Sequence, residues 1–469
     1  MIAAANLPNY KLVSTLLVLP ILIIAIILWQ YPHTIHHVVK NSSVKTMLSV
    51  NVKYEGIMKT STTDQHLQTL KAVVNSKNLN ELATYCALFL SFSILLIAGT
   101  GLLLDHSIQN RKQMKSNKQL YRNLYLAKLF FPIILILLSS SSILLLACLL
   151  MIILVKYVSS IFALTTFAIM IIITISLSWK IFKSCTEKSD EETLNLIGIN
   201  LTKAEAPELW QFVQSIADKG QLRMPDYIVI GMNHCFFVTE SPISFWNGNS
   251  LSGGATLYLS IPYMHYMSES DVAAIIGHEL AHFTYNDIQY THHFFTISKR
   301  LIRNTTAINL QPLAQNTSAW DWLYSILTYP TLVFAEHFLD SYHETVQQWK
   351  RCREANADKI GSKASSTKQM AQAMLRVAII TPAIEYIIEE FWFAGGKKES
   401  VLNSIQQLIN RHGLPDPLML LQSIQSHPLD NHPTLQRRLE LLNIKLTDPM
   451  LEEASNNQHS DLLKQLKLI

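Results

Sequence analysis

Charged residues are scarce in this chain. They make up 15% of its 469 residues, whereas hydrophobic residues make up 49%, and the mean hydropathy is +0.20. These values exclude an ordinary soluble enzyme along the whole length and favour a protein that lies partly in lipid. The net charge is only +4, and the basic residues sit in loops beside apolar segments. The sequence therefore predicts a lipid bilayer as a partner and no nucleic acid.

Cysteine pairs are also missing. The five cysteines are scattered, and none of them forms a C-x-x-C pair or a zinc-finger spacing. An odd, scattered set argues against a framework of disulfide bonds. It favours a reducing compartment for the C-terminal part of the chain.

Long hydrophobic runs are present, and they concentrate in the first part of the chain. Four have about the 20 residues that cross a bilayer, and they lie at residues 13–31, 83–104, 126–155 and 157–182. Lysine and arginine cluster at 111–122 and 180–188, which predicts that these segments face the cytoplasm. We therefore expect a membrane domain over 1–183 with an outer loop at 32–82. The N-terminus and the catalytic part are then both cytoplasmic.

The sequence H-E-L-A-H at 278–282 lies in a stretch with the apolar pattern of a buried helix. Ser268, followed by Asp271 three residues later, predicts where that helix starts. His278 and His282 are four residues apart and share one helix face, where two imidazoles can bind one zinc ion. Glu279, beside the first histidine, could take a proton from a zinc-bound water.

A catalytic zinc needs a third protein ligand, and Glu354 is the best candidate. Glu354 and Asp358 are four residues apart, with small alanines between them, so they share one helix face that can pack closely. Glu354 could bind the zinc. Asp358 could orient either His282 or His278 through the second ring nitrogen.

A His-Pro turn near the C-terminal end of the chain offers a further candidate. His432 precedes a predicted helix that carries Arg438, which could place a cation near the substrate carbonyl oxygen. A plain helix N-terminus with a proline near its first turn explains the same pattern. His427 lies in a second His-Pro pair, so the sequence leaves open which histidine faces the site.

β-branched and aromatic residues predict a small sheet ahead of the H-E-x-x-H helix. One or two strands are expected within 226–240 and another at 256–261. We expect an extended substrate to pair with an edge strand, either near Cys235 or at 256–260. The predicted fold is an α-helical membrane protein with a mainly α (α+β) zincin-like catalytic domain, whose sheet edge lies beside the active-site helix.

Three motifs in order resemble the M48 family of membrane zinc metallopeptidases, with its HtpX-like and CAAX-prenyl endopeptidase-like members. The motifs are H-E-L-A-H at 278–282, E-A-N-A-D at 354–358 and N-H-P-T-L-Q-R-R-L at 431–439. The resemblance covers roughly residues 200–445. It implies one zinc ion per chain, bound by two histidines and Glu354, with Glu279 as the general base.

The same resemblance implies a supporting role for Asp358 and roles near the substrate for His432 and Arg438. It also implies a substrate-pairing edge strand, and the corresponding residues here are Asn233, Cys235 and Phe236. HtpX-like members have two spans before the catalytic helix and two after it, whereas four predicted spans precede it here. The insert at 283–353 has one moderately apolar stretch, at 320–338, which predicts an amphipathic or core helix pair and not a span. The whole insert is a candidate lid.

The sequence thus predicts a membrane-anchored zinc metalloendopeptidase that acts on polypeptides, including membrane proteins, in quality control or processing. Its M48-like domain is expected over 184–445, followed by a C-terminal tail at 446–469. The expected location is the bacterial inner membrane. A catalytically silent membrane scaffold is the alternative. A transporter is disfavoured because the spans carry charged residues only near their ends.

Overall fold

A computed structural model describes residues 62–109, 117–187, 193–284, 287–308, 319–393, 401–423, 433–456 and 460–468, together with positions 16, 18 and 20–26. The chain forms two compact units. The first comprises Met1–Lys188 and Thr296–Tyr342, and the second comprises Ser189–Phe295 and His343–Ile469. The sequence predicted a single domain boundary at residue 184, whereas the first unit also contains residues 296–342.

Three long apolar helices dominate the first unit: α1 (Thr62–Gln109), α2 (Asn117–Tyr157) and α3 (Ser160–Thr186). α1 packs on α2, and α2 packs on α3. Large apolar side chains point outward from all three helices, and Leu96 and Ile161 are 71% and 78% exposed. A protein in water rarely exposes such continuous apolar faces, so these helices are suited to a lipid environment.

Among the described residues, four helices are long and apolar enough to cross a membrane. They are Ser76–Gln109, Asn117–Tyr157, Ser160–Thr186 and Thr367–Phe391. The last of these belongs to the second unit, and 61% of its apolar window is buried, compared with 17–50% for the other three. Its apolar residues therefore serve largely as protein core.

The second and third predicted spans, at 83–104 and 126–155, lie within α1 and α2, and residues 160–182 of the fourth lie within α3. The first predicted span, at 13–31, is described only at positions 16, 18 and 20–26. α1 begins at Thr62, so residues 62–82 of the segment predicted as an outer loop are helical. Leu67, Leu70 and Val74 recur there at helical spacing and extend the helix beyond the apolar span.

The second unit begins with two small sheets. The strands are β1 (Leu194–Leu196), β2 (Gly198–Leu201), β3 (Tyr227–Gly231), β4 (Phe237–Thr239), β5 (Ile243–Phe245), β6 (Ser250–Leu251) and β7 (Thr256–Ser260). The larger sheet has the order β2-β3-β7-β4, in which β3 and β7 are parallel and the other pairs are antiparallel. The smaller sheet has the order β1-β5-β6. In the larger sheet, β4 is therefore an edge strand and β7 is paired on both sides.

Helices supply most of the remaining structure of the second unit. They are α4 (Pro207–Gly220), α5 (Ile261–Tyr266), α6 (Glu269–Thr284), α7 (Asp287–Ile308), α8 (Ala319–Ala364), α9 (Thr367–Phe393), α10 (Val401–His412), α11 (Pro417–Ser423), α12 (Leu435–Leu441), α13 (Asp448–Ser455) and α14 (Leu462–Gln465). Residues 296–308 of α7 and 319–342 of α8 belong to the first unit. The mainly helical fold with a small sheet beside α6 confirms the predicted fold class.

Two elements differ from the sequence expectation. The stretch at 320–338, which was predicted as a helix pair, lies in the single helix α8, with Pro330 inside it. The predicted C-terminal tail forms α13 and α14, and their residues Leu462 and Leu463 are buried in the core. Short helices with few apolar residues look like an unstructured tail in the sequence. The core residues that they cover are distant in sequence, so the contacts cannot be predicted locally.

Candidate metal centre

α6 begins where the sequence predicted it. The Ser268 backbone N–H donates to Asp271 Oδ2, and the Asp271 backbone N–H donates to Ser268 Oγ, both at 3.2 Å. This reciprocal capping satisfies two backbone donors at the helix start. His278 is buried and His282 is partly buried, one turn apart on the same helix.

α8 brings a carboxylate to these histidines because two glycines allow the helices to approach. A Cβ added at Gly361 would lie 2.6 Å from the His278 backbone nitrogen, and one added at Gly277 would lie 3.1 Å from the Gly361 carbonyl oxygen. Glu354, Asp358 and Gly361 follow at spacings of four and three residues, so they share one face of α8. That face therefore lies against the histidine-bearing face of α6.

The resulting group of His278, His282 and Glu354 could hold a metal ion, and among the described residues no other such group occurs. Its ligand atoms all lie within 4.8 Å of one another. His278 Nε2 is 3.4 Å from Glu354 Oε2, and His282 Nε2 is 3.5 Å from Glu354 Oε1. Zinc ligands at about 2.0–2.2 Å in a tetrahedron stand about 3.3–3.6 Å apart, so this donor set fits zinc.

A second carboxylate lies behind His278. Asp358 Oδ1 is 2.8 Å from His278 Nδ1, which leaves Nε2 directed toward Glu354. Burial lowers the pKa of His278, but hydrogen bonds to Asp358 and Glu354 outweigh burial and raise this pKa to about 10. The sequence left open which histidine Asp358 supports, and the structure places it against His278.

Sequence reasoning missed the carboxylate behind the other histidine. Asp287 is buried, and its Oδ2 lies 3.8 Å from His282 Nδ1. Arg353 Nη1 lies 3.9 Å from the other Asp287 oxygen. Asp287 is the first residue of α7, and an acidic residue there looks like an ordinary first-turn carboxylate. Its position only five residues after His282 in the sequence was the available signal.

The Arg438 side chain binds the carboxylate that lies behind His278. Its Nε and Nη2 atoms donate to the two oxygens of Asp358, at 2.9 and 2.6 Å. Burial raises the pKa of Asp358, but hydrogen bonds from Arg438 and His278 outweigh burial and lower this pKa to about 2. The chain of contacts thus runs from Arg438 through Asp358 to His278. His432 and His427 lie outside the described residues.

The sequence model of peptidase family M48 matches residues 203–444, a range that contains every residue of this group. The chain belongs to peptidase family M48. A protease HtpX homolog of Thermodesulfovibrio yellowstonii is 34% identical over 88 residues, which are 19% of this chain and 28% of that protein. This chain thus spans about a quarter of that relative's length. No solved structure matches the chain.

In this M48 chain, the residues predicted to form a substrate-binding strand lie just outside the sheet. Asn233, Cys235 and Phe236 precede β4, which begins at Phe237. The Asn233 N–H donates to the Tyr258 hydroxyl, and Ser260 Oγ donates to the Asn233 carbonyl. The Tyr258 and Ser260 side chains therefore hold the Asn233 backbone in place. A strand would instead hold it through backbone hydrogen bonds to a neighbouring strand.

The other strand proposed for substrate pairing, at 256–260, is β7, which pairs with β3 along its whole length and with β4 at Thr256–Tyr258. β4 is the edge strand on this side of the sheet. α6, which carries Glu279, packs on β4. The helix of the M48 base candidate therefore lies beside the edge strand.

Proposed function

We propose that this M48 protein is a membrane-anchored zinc metalloendopeptidase, with its catalytic domain in the cytoplasm and its apolar helices in the bacterial inner membrane. The observation that carries the proposal is the His278, His282 and Glu354 group, in which nitrogen-to-oxygen separations of 3.4 and 3.5 Å suit zinc. A scaffold that only binds a partner has no need for such a group. The paired carboxylates behind both histidines support the same conclusion, because second carboxylates orient metal-binding imidazoles.

Each residue of the site has a distinct role in the proposed hydrolysis. His278, His282 and Glu354 would bind zinc, which when bound activates a water and polarises a carbonyl. Glu279 accepts the proton of the attacking water on its carboxylate and then donates it to the leaving amine. Asp358 and Asp287 hold the two imidazoles in orientation. Arg438 is a positioning residue that fixes Asp358.

The substrate would bind as an extended segment beside β4, because a peptide can add to an exposed sheet edge through main-chain hydrogen bonds. The packing of α6, which carries Glu279, on β4 supports this part of the proposal. Helices suited to a bilayer in the same chain favour membrane proteins as substrates, and hence a role in their quality control or processing.

The deciding experiment compares zinc content and casein cleavage in detergent-purified wild type and Glu279→Gln. We expect one zinc per chain in both proteins, and a fall in cleavage of about 10²–10⁴-fold in the variant, because a positioned general base contributes that much. Glu269→Gln is the matched control, since Glu269 is exposed in the first turn of the same helix. It should cleave like wild type.

The outcomes separate the hypotheses. Cleavage by Glu279→Gln at the wild-type rate would remove Glu279 as the base. Zinc in every variant with cleavage in none would favour the scaffold. Absence of zinc from the wild type would overturn the proposed function.

A further inference from the structure

α1 and the first part of α8 lie side by side within the first unit. Gly101 of α1 lies against Phe334 of α8, so closely that a Cβ added at Gly101 would come 2.7 Å from two atoms of the Phe334 ring. Further along both helices, Gln109 Nε2 donates to Ser341 Oγ at 2.9 Å. Residue numbers rise along both helices between these two contacts, so α1 and α8 are parallel here.

A buried acid–base pair lies between these two contacts. His337 Nε2 is 3.2 Å from Asp105 Oδ2, and Gln109 Nε2 donates to the same carboxylate oxygen at 3.0 Å. The side chains of Asp105 and His337 are only 7% and 21% exposed. Gly101, Asp105 and Gln109 follow at spacings of four residues, so they form one stripe on α1. The pair is therefore the middle contact of the interface between the two helices.

Aromatic rings surround this interface on the side of α2. Phe131 of α2 stacks on Phe338, with ring centroids 4.8 Å apart, and its centroid lies 6.4 Å from that of Phe334. All three phenylalanines are completely buried. A charge among apolar groups is costly unless an opposite charge lies beside it. The charge of the neighbouring His337 therefore matters for the stability of this contact.

Among the described residues, two carboxylates act on the His337 imidazole: Asp105 of α1 and Asp340 of α8 itself. The hydrogen bond with Asp105 raises the pKa of His337, burial lowers it, and the charges of the two carboxylates raise it again. The balance of these effects places the pKa of His337 above its ordinary value. Folding of the first unit therefore favours the protonated imidazole.

We propose that Asp105 and His337 form a pH-sensitive clamp between α1 and α8. When His337 is protonated, the contact is an ion pair with a charge-assisted hydrogen bond, which is roughly twice as strong as a neutral one. When His337 is neutral, Asp105 loses the positive charge of its partner. Ionisable side chains buried among membrane helices are typically paired and functional. The clamp acts on the first-unit part of α8, and the proposal does not depend on proteolysis.

The direction of the pH dependence follows from the raised pKa of His337. The ordinary pKa of histidine, which applies to the unfolded chain, is about 6.5. A group whose pKa is raised by folding stabilises the folded state fully below its unfolded pKa, and this stabilisation is lost as the pH rises through the folded pKa. The clamp is therefore closed in mildly acidic solution and weakened in alkaline solution.

The test measures melting temperatures of the detergent-purified full chain at pH 6 and pH 9. We expect His337→Gln to lower the melting temperature by about 2–4 °C more at pH 6 than at pH 9, because glutamine keeps a hydrogen-bond donor but cannot take up a proton. In an Asp105→Asn background, His337→Gln should have the same effect at both pH values. His106→Gln is the matched control, since His106 is exposed beside Asp105, and its effect should not change with pH.

Hydrogen exchange of residues 334–341 gives a local readout that does not require Asp105→Asn to fold. After correction for the intrinsic pH dependence of exchange, this segment should open more often at pH 9 than at pH 6 in wild type. In His337→Gln that difference should disappear. Equal losses of melting temperature at the two pH values in His337→Gln would overturn the clamp. So would hydrogen exchange in that variant that keeps the pH dependence of wild type.

Discussion

Arg437 and Arg438 are neighbours in α12, but their surroundings are opposite. Arg438 pairs with the buried Asp358, whereas Arg437 pairs with Glu440 while 61% of its side chain is exposed. Removing one partner of a buried ion pair leaves the other charge buried and uncompensated. The same change in an exposed pair costs little because water solvates both charges.

We therefore predict that Arg438→Gln lowers the free energy of unfolding by about 3–5 kcal/mol, and that Arg437→Gln lowers it by at most about 1 kcal/mol. Thermal and denaturant unfolding of the two detergent-purified variants measures the difference. Equal losses in both variants would show that the Arg438–Asp358 pair does not support the fold.

Sequence spacing identified the site residues that share one helix. It did not identify contacts between residues of different helices. His278 and His282 follow from one turn of α6, and Glu354 and Asp358 follow from one turn of α8. Asp287 lies near His282 although it belongs to the next helix, α7. The pairing of Arg438 with Asp358 joins residues 80 positions apart, which spacing within one helix does not reveal.

Close packing of α6 on α8 depends on the missing side chain of Gly361. A Cβ there would lie 2.6 and 2.8 Å from the backbone N and Cα atoms of His278, and backbone atoms cannot move aside as a flexible side chain can. Overpacking a close contact of this kind costs about 1–3 kcal/mol. We predict that Gly361→Ala loses stability of this size and also binds zinc more weakly, because Glu354 moves with α8.

Gly99→Ala is the matched control, since Gly99 is also helical and has no atom within 4 Å of an added Cβ. It should keep both stability and zinc. Zinc titration monitored by thermal unfolding measures both properties for the two variants. If Gly361→Ala binds zinc with wild-type affinity, the close contact between α6 and α8 does not determine the geometry of the metal centre.

Elements were predictable where one apolar pattern persisted over many residues. Hydropathy located α1, α2 and α3, and a capping pair located the start of α6. Hydropathy did not show that α1 begins at Thr62, because polar residues alternate with apolar ones over 62–82. Nor could local sequence show that β7 is internal, since strand order depends on contacts between distant segments.

At the scale of the whole molecule, the open question is which side of the membrane carries the metal centre. Cys352 is exposed and lies two residues before Glu354. Val158, in the turn between α2 and α3, is 62% exposed and is predicted to face outward. We predict that Cys352, as the single cysteine after replacement of the other four by serine, is not labelled by an impermeant maleimide in intact spheroplasts.

The same cysteine should be labelled after permeabilisation, while Val158→Cys on the cysteine-free background should be labelled in both cases. Labelling of Cys352 in intact spheroplasts would reverse the proposed orientation and would place the metal centre outside.

The burial of α13 and α14 also bears on the timing of synthesis. Leu462 and Leu463 complete a core that includes Ile276 and Leu280 of α6. At about 5–20 residues per second, a ribosome needs roughly 9–36 s to travel from His282 to Leu463. During that interval the helix that carries both histidines has emerged without its finished core. The core beneath the proposed metal centre is therefore completed only late in translation, after the earlier apolar helices have had time to enter the bilayer.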